Sequence, residues 1–336
     1  MNIGIDLGTA NVLITMGARG IVLNEPSVVA YNKKTGEVTA VGDDAKIMEG
    51  KTPDHIAVIR PLEDGVISDH NMTKAMITYF IEKVTGRQLL MPDIIMCIPS
   101  STTDVENRAV IEAAKNAGAK KVWLLEEPLA ALMGAGCEIF EPDGNMVIDF
   151  GGGTTDIAVV SMGGVVVRTS VRVAGNKLDR AIVRYLSTRY KLLIGEKSAE
   201  AAKRLAANVY SPDGTRKTIV KGRHLIRGLP EKIEITDYDI YEAVIESVGE
   251  IIAAVKSVLE QTPPELAADI YSHGIYLTGG GAMLTGLDKL LSSELGVRCN
   301  IADEPLECVA EGAMKAFGKI EQLRDGFQYV SMLQYS

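Results

Sequence analysis

The sequence predicts an α/β protein built from two related lobes that face each other across a cleft. Three observations carry that prediction. Strand-like and helix-like segments alternate along most of the chain, the pattern of α/β proteins. The 336 residues are about twice a domain of ~150 residues. A short motif also occurs twice, as Asp6-Leu7-Gly8-Thr9 and as Asp149-Phe150-Gly151-Gly152-Gly153-Thr154, 143 residues apart. Each copy is entered by a β-type apolar run (Ile3, Ile5; Met146, Val147, Ile148) and left by another (Val12 to Ile14; Ile157 to Val160).

In chain order, Asn2 to Met16 reads as strand, tight turn, strand. Asp69 is the candidate N-cap of a helix over Thr73 to Val84, which Gly86 would end. Ile94-Ile95-Met96-Cys97-Ile98 is a short apolar run of buried-strand type, stopped by Pro99. Thr103 and Glu106 have capping-box spacing ahead of Val110, Ile111 and Ala114, and Gly118 suits the C′ position. Glu126-Glu127-Pro128 places a carboxylate just before a helix with Pro at its first position. Its small residues Ala130, Ala131 and Gly134, with Gly312 and Ala313 in a second such helix, allow the close crossing that a hinge between lobes needs. Tyr241, Val244, Ile245, Val248, Ile251, Ile252 and Val255 form an apolar stripe at helical spacing over Tyr238 to Gln261, stopped by Pro263-Pro264. Gly274 to Leu277 reads as a strand, after which Thr278-Gly279-Gly280-Gly281-Ala282 opens a helix.

Composition narrows the function classes. With 46% hydrophobic and 24% charged residues, the chain has the make-up of a folded globular protein. A net charge of −9 argues against a nucleic-acid partner, which calls for a basic face. No apolar run approaches the ~18 residues of a membrane span, and Met1-Asn2 passes directly into Ile3-Gly4-Ile5, so no leader is expected. Cys97, Cys137, Cys299 and Cys308 are scattered without a CxxC pair, and read as reduced buried thiols of a cytosolic protein. His55, His70, His224 and His273 lie too far apart for metal-ligand spacing.

The repeated turns suggest a chemistry. An Asp closing a strand, followed by glycine and Thr, turns the chain sharply and points backbone N–H groups outward, where an anion can approach. The carboxylate then stands where a hydrated divalent cation would bridge it to phosphate oxygens, and Mg²⁺ typically takes only one or two carboxylates. Asp6 and Asp149 would suffice. A single such turn reads first as an ordinary hairpin with an Asx hydrogen bond; two matching copies favour phosphate. The Gly279–Gly281 cluster would let a flat purine or an α-phosphate lie close, or is a tight strand-to-helix connection. The carboxylates at Glu126 and Glu127 would serve the helix dipole, or would orient a water attacking a phosphate. No Walker motif and no strand-following GxGxxG occurs.

Together these features resemble the actin, Hsp70 and sugar-kinase superfamily, and within it the bacterial MreB-type actins, including the related Mbl proteins. The specific pieces are Gly4 to Asn11, Asn24 to Ala30, Arg60 to Ile67, Glu126 to Gly136, Asp149 to Asp156, Gly228-Leu229-Pro230, Thr262 to Leu266 and Leu277 to Ala282. The resemblance implies an actin-like fold: two ribonuclease-H-like lobes around a nucleotide cleft, each with a smaller subdomain. It divides the chain into 1–30 with 69–143 and 311–336 (IA), 31–68 (IB), 144–179 with 243–310 (IIA) and 180–242 (IIB). On matching positions it implies ATP or ADP with Mg²⁺. Thr9, Ala10 and Asn11 and then Gly151, Gly152 and Gly153 would bind phosphate. Asp6 and Asp149 would hold Mg²⁺ largely through water, and Glu127 would activate the attacking water with Thr154 assisting, Glu126 being the weaker candidate. Asp179 would close over the nucleotide, Glu200 and Lys203 would contact ribose and adenine (or form an i,i+3 surface ion pair), and Gly279, Gly280, Gly281 and Ala282 would bind the α-phosphate and adenine side.

The implied function is a slowly hydrolysing ATP-binding protein that polymerises with itself into filaments under the cell membrane and organises cell-wall synthesis and shape. Some features depart from the family pattern. The first strand begins at residue 2, so the amphipathic anchor helix of many relatives is expected to be absent. Leu89-Leu90-Met91 occupies the place of the family's hydrophobic membrane loop, to insert into lipid or to pack under the next strand. Asn176 stands where many relatives carry Asp, and Phe327 to Ser336 matches nothing and is expected to be disordered. The rivals are a metabolite kinase, which needs a larger sugar-binding lobe, an Hsp70-type chaperone, which needs a β-rich domain after residue ~330, and a nucleotide-regulated scaffold without catalysis.

Overall fold

A computed structural model describes residues 1–86 and 91–329. Two sheets of the same design form its frame. In the first, the strand Asn2–Leu7 lies at the centre, paired antiparallel to Asn11–Met16, which in turn pairs with Ile21–Pro26. On its other side Asn2–Leu7 runs parallel to Asp93–Ile98, and that strand runs parallel to Lys121–Glu126. The second sheet repeats the order. Asn145–Phe150 pairs antiparallel with Thr155–Ser161 and through it with Gly164–Val171, and runs parallel to Ile275–Thr278, which runs parallel to Cys299–Ile301. The repeated motif thus sits at the same place in each sheet: at the end of the central strand, in the turn of its first hairpin.

Local chemistry accounts for the elements. The helix His70–Thr85 begins at Asp69, whose carboxylate accepts the Met72 N–H, three residues ahead of the predicted start, and ends at Gly86. Asp104–Asn116 carries the full Thr103–Glu106 capping box and is followed by Gly118 with φ of +93°. The apolar stripe lies on Asp237–Gln261. The proline pair ends that helix and also starts the next, because Pro264 opens Pro264–His273, where a missing N–H costs nothing. Two expectations need correction. Phe327–Tyr329 is not disordered: it forms a sixth strand on the first sheet, antiparallel to Lys121–Glu126, with Tyr329 opposite Trp123; residues 330–336 lie outside the described residues. The glycine cluster after Ile275–Thr278 leads first into a 3₁₀ turn, Gly280–Met283, and only later into the helix Leu287–Leu295.

Each lobe has its own apolar core, the first around Ile5, Phe80 and Met96 and the second around Ile148, Leu178 and Val255. A third core joins them, drawing Ile95 and Leu125 from one sheet, Val147 and Val160 from the other, and Leu129 and Ala313 from two helices, Glu127–Gly134 and Cys308–Ala316. These helices cross with no room to spare. A Cβ on Gly134 would overlap the Cys308 carbonyl, and one on Gly312 the Ala130 carbonyl. Lys315 on one helix donates to the Met133 and Gly134 carbonyls that end the other. Each lobe also bears a small three-stranded sheet: Val38–Val41, Val29–Asn32 and Ile56–Ile59 on the first, Leu192–Leu193, Lys217–His224 and Pro230–Thr236 on the second. The four cysteines are free thiols, three buried and Cys137 half-buried. Among the described residues no helix is long and apolar enough to cross a membrane.

Candidate functional site

The two turns meet. A Cβ on Gly152 would stand 2.7 Å from the Ala10 Cβ, and one on Gly153 would stand 2.7 Å from the Thr9 hydroxyl oxygen. Glycine is required there because the backbone of one turn lies against the side chains of the other. The second turn is closed by the Gly151 N–H donating to the Thr154 carbonyl at 3.0 Å. It is also held from behind by the helix Gly175–Arg189: the Gly175 and Asn176 N–H groups, which a helix start leaves without internal acceptors, donate to the Gly151 and Gly152 carbonyls. In the first turn the Asn11 side chain donates to Asn24 at 2.9 Å, so its amide is already engaged.

Four carboxylates gather beneath the turns. Asp149 lies directly opposite Asp156 across the second hairpin, and the Thr278 hydroxyl donates to Asp149 at 2.9 Å. Burial pushes the Asp6 carboxyl up to about 8, with the neighbouring Asp149 adding to it. Asp149 rises to about 7 through burial, against the Thr278 hydrogen bond and helped by Asp156. Burial raises Asp156 to about 6, against hydrogen bonds such as the one from the Ser100 N–H at 3.0 Å. Glu127 is pushed well above the usual carboxylate range by burial and then by Asp156, Asp6 and Asp149. Among the described residues no Lys, Arg or His offsets Asp6, Asp149 or Glu127, so a cation brought to the site would favour their ionised forms. That donor set fits a hard divalent ion. Among the described residues no three His, Cys, Asp or Glu side chains converge as direct ligands, so such an ion would keep most of its waters, as Mg²⁺ does.

The adjacent glutamates have different surroundings. Glu126 accepts from the Ser100 hydroxyl at 2.7 Å and lies 3.6 Å from Arg168, which also binds Asp325 at 3.0 Å. It is a bracing group between the lobes. Glu127 makes no hydrogen bond or ion pair among the described residues, and it is Glu127, rather than Pro128, that stands first in the helix. Its oxygens are free to meet a ligand or water.

The remaining predicted residues surround the second turn. Asp179 is buried and ion-paired with Lys203 at 2.8 Å, and Lys203 also donates to the Gly175 carbonyl at 3.0 Å, tying the helix start that holds the turn. Burial lifts Asp179 to about 6 even so, Lys203 pulling it down and Glu200 and Glu196 pushing it up. Glu200 lies farther out and faces Arg204 at 4.0 Å, so the alternative surface pair with Lys203 does not form. A Cβ on Gly279, whose φ is +76°, would stand 2.6 Å from the Phe150 carbonyl, and one on Gly281 would overlap the Phe150 ring. Packing against Phe150 therefore already requires two of these glycines. Leu89 and Leu90 lie outside the described residues; Met91 is 65% exposed. Sequence reasoning gave no role to Asp156, Ser100 or Thr278. Asp156 had a local signal, since a four-residue turn after Phe150 puts it opposite Asp149; the others are brought in from distant segments.

Against this geometry the relatives are informative. A family profile described as MreB/Mbl protein matches residues 1–325. The chain is 50% identical over 324 residues to the cell shape-determining protein Mbl of Bacillus subtilis (strain 168), covering 96% of this chain and 97% of that one. It is 46% identical over 326 residues to the cell shape-determining protein MreB of Escherichia coli (strain K12), covering 95% and 94%. Among solved structures it is similar to MreB5 of Spiroplasma citri bound to ADP, with a TM-score of 0.90 and 37% identity over 95% of this chain and 96% of that one. The same protein bound to AMPPNP superposes with a TM-score of 0.88. The two-lobed architecture is theirs.

Proposed function

The chain belongs to the MreB/Mbl family, and from that premise we propose that it is an actin-like cell-shape protein that binds ATP with Mg²⁺ between its lobes, assembles with copies of itself into filaments and hydrolyses ATP slowly. The observation that carries this reading is the meeting of the two turns, Thr9 and Ala10 against Gly152 and Gly153, above buried acids that no Lys, Arg or His among the described residues offsets. The solved MreB5 structures hold ADP and AMPPNP, which supports a nucleotide here.

The parts take these roles. Thr9, Ala10 and Asn11 on one side and Gly151 to Gly153 on the other hold phosphate oxygens with backbone N–H groups. Asp6 and Asp149 would hold Mg²⁺, largely through its waters, and the bound ion would offset the phosphate charge. Glu127, buried and without a partner, accepts a proton from a water aimed at the γ-phosphate, and its raised affinity for protons suits a base. Thr154 helps to place that water. Asp179, Glu200 and Lys203 lie on the ribose and adenine side, with Gly279 to Ala282 beside the α-phosphate. Hydrolysis is then positioning and electrostatics, giving ADP and phosphate.

The filaments lie at the inner face of the cell membrane, where they organise wall synthesis and shape, with Leu89, Leu90 and Met91 as the lipid contact. Two leucines moved into lipid contribute about 3–6 kcal/mol, weak for one subunit but repeated along a filament. Negative-stain microscopy and pelleting with Mg²⁺ and ATP, with ADP, with a chelator, and with lipid vesicles test the proposal. Filaments that need nucleotide and Mg²⁺, pellet with vesicles and release phosphate are expected. Filaments indifferent to nucleotide would refute the coupling, and filaments without phosphate release would leave a scaffold.

A further inference from the structure

The hairpin of Leu62–Glu63 and Val66–Ile67 has no part in the roles above, yet its tip rests on the second turn. The tip residues Asp64 and Gly65 have φ of +49° and +75°, the left-handed pair of a two-residue hairpin turn. A Cβ on Gly65 would overlap the Thr154 methyl group, and one on Gly153 would stand 2.9 Å from the Asp64 Cα. The base of the hairpin belongs to the first lobe: the Ile67 N–H donates to Glu106 at 3.1 Å and the Ser68 N–H to the Pro61 carbonyl at 2.9 Å. From the second lobe, one Arg180 nitrogen lies 3.3 and 3.4 Å from the two Asp64 carboxylate oxygens, and another lies 3.8 Å from Glu63. Arg180 stands in the second turn of Gly175–Arg189, the helix whose first N–H groups hold Gly151 and Gly152.

We infer that Arg180 with Asp64 and Glu63 forms a clasp between the lobes, which keeps the cleft closed over bound nucleotide and presses the hairpin tip onto Thr154. Arg180 and Asp64 are thereby positioning residues, acting through Thr154 and the second turn without touching the reacting atoms. The inference rests on the nucleotide reading of the cleft. The chemistry suits a reversible catch. One nitrogen of Arg180 reaches both Asp64 oxygens while the other faces Glu63, so a single guanidinium spans the two acids at the hairpin tip. The pair is partly open to solvent, with side-chain exposures of 41% and 30%, so it is weak enough to open.

The test is the release of a fluorescent ATP analogue (mant-ATP with Mg²⁺) from the full chain, chased with excess ATP, together with single-turnover phosphate release at saturating ATP. Asp64→Asn removes the charge while keeping a residue that tolerates left-handed backbone. Asp64→Asn and Arg180→Ala are each expected to release the analogue about 2- to 5-fold faster and to slow phosphate release. Arg180→Lys should fall between wild type and Arg180→Ala. The double variant Asp64→Asn/Arg180→Ala should be no faster than the faster single one, because the two remove the same contact. Variants that release at the wild-type rate, or a double variant whose effects simply multiply, would overturn the clasp. A wild-type protein that binds no mant-ATP would instead overturn the nucleotide reading beneath it.

Discussion

Glu127 makes no hydrogen bond or ion pair among the described residues and stands first in its helix, so the effect of replacing it by Gln should fall on chemistry and spare binding. Phosphate release is expected to drop about 10²-fold or more, with ATP affinity within a few-fold of wild type by calorimetry, because a water-activating group acts mainly in the transition state. A second consequence concerns pH. Asp6 is raised from 3.8 to about 8 and Asp149 from 3.8 to about 7, so the folded protein without metal keeps protons that the unfolded chain gives up above about pH 4. That contribution to stability is complete below pH 3.8 and is lost as the pH rises through about 7 to 8. Denaturant midpoints in chelator should therefore fall from pH 5 to pH 8, and Asp6→Asn should flatten the slope. At this scale the sequence was legible where a residue recurs: Asp6 and Asp149 declare each other by repetition. It was silent on which glutamate is free, because Ser100 and Arg168, which engage Glu126, come from a turn and a strand far from it in the chain.

The elements were legible where a cap or a period is written locally. Asp69, Thr103 with Glu106, and the stripe on Asp237–Gln261 each specify a helix within one or two turns of chain. The strand Phe327–Tyr329 was not, because three residues carry no period and their partner strand lies some two hundred residues earlier. The helix crossing was legible as a run of small residues, and it yields a prediction with opposite signs at two glycines. Gly312→Ala forces a methyl group into the Ala130 carbonyl and should destabilise by about 1–3 kcal/mol. Gly249→Ala, in the helix Asp237–Gln261 with nothing within 4 Å of its Cβ position, should stabilise by about 0.4–1 kcal/mol. Denaturant unfolding measures both.

On the scale of the whole molecule, the duplicated sheet is the organising fact. Each copy supplies a central strand with Asp as its penultimate residue and a turn, and the third core sets the copies face to face so that two weak half-sites make one cleft. The repeat could be read from the sequence, but its closure could not: the hairpin tip at Asp64 and the helix carrying Arg180 are 116 residues apart and meet only across the cleft. The central claim, that this cleft holds a Mg²⁺-dependent nucleotide, is tested most directly by calorimetric titration of wild type and Asp149→Ala with ATP, with and without Mg²⁺. Wild type should bind one ATP per chain, more tightly with Mg²⁺, and Asp149→Ala should lose the Mg²⁺-dependent part. The same affinity and the same Mg²⁺ dependence in Asp149→Ala would contradict the account.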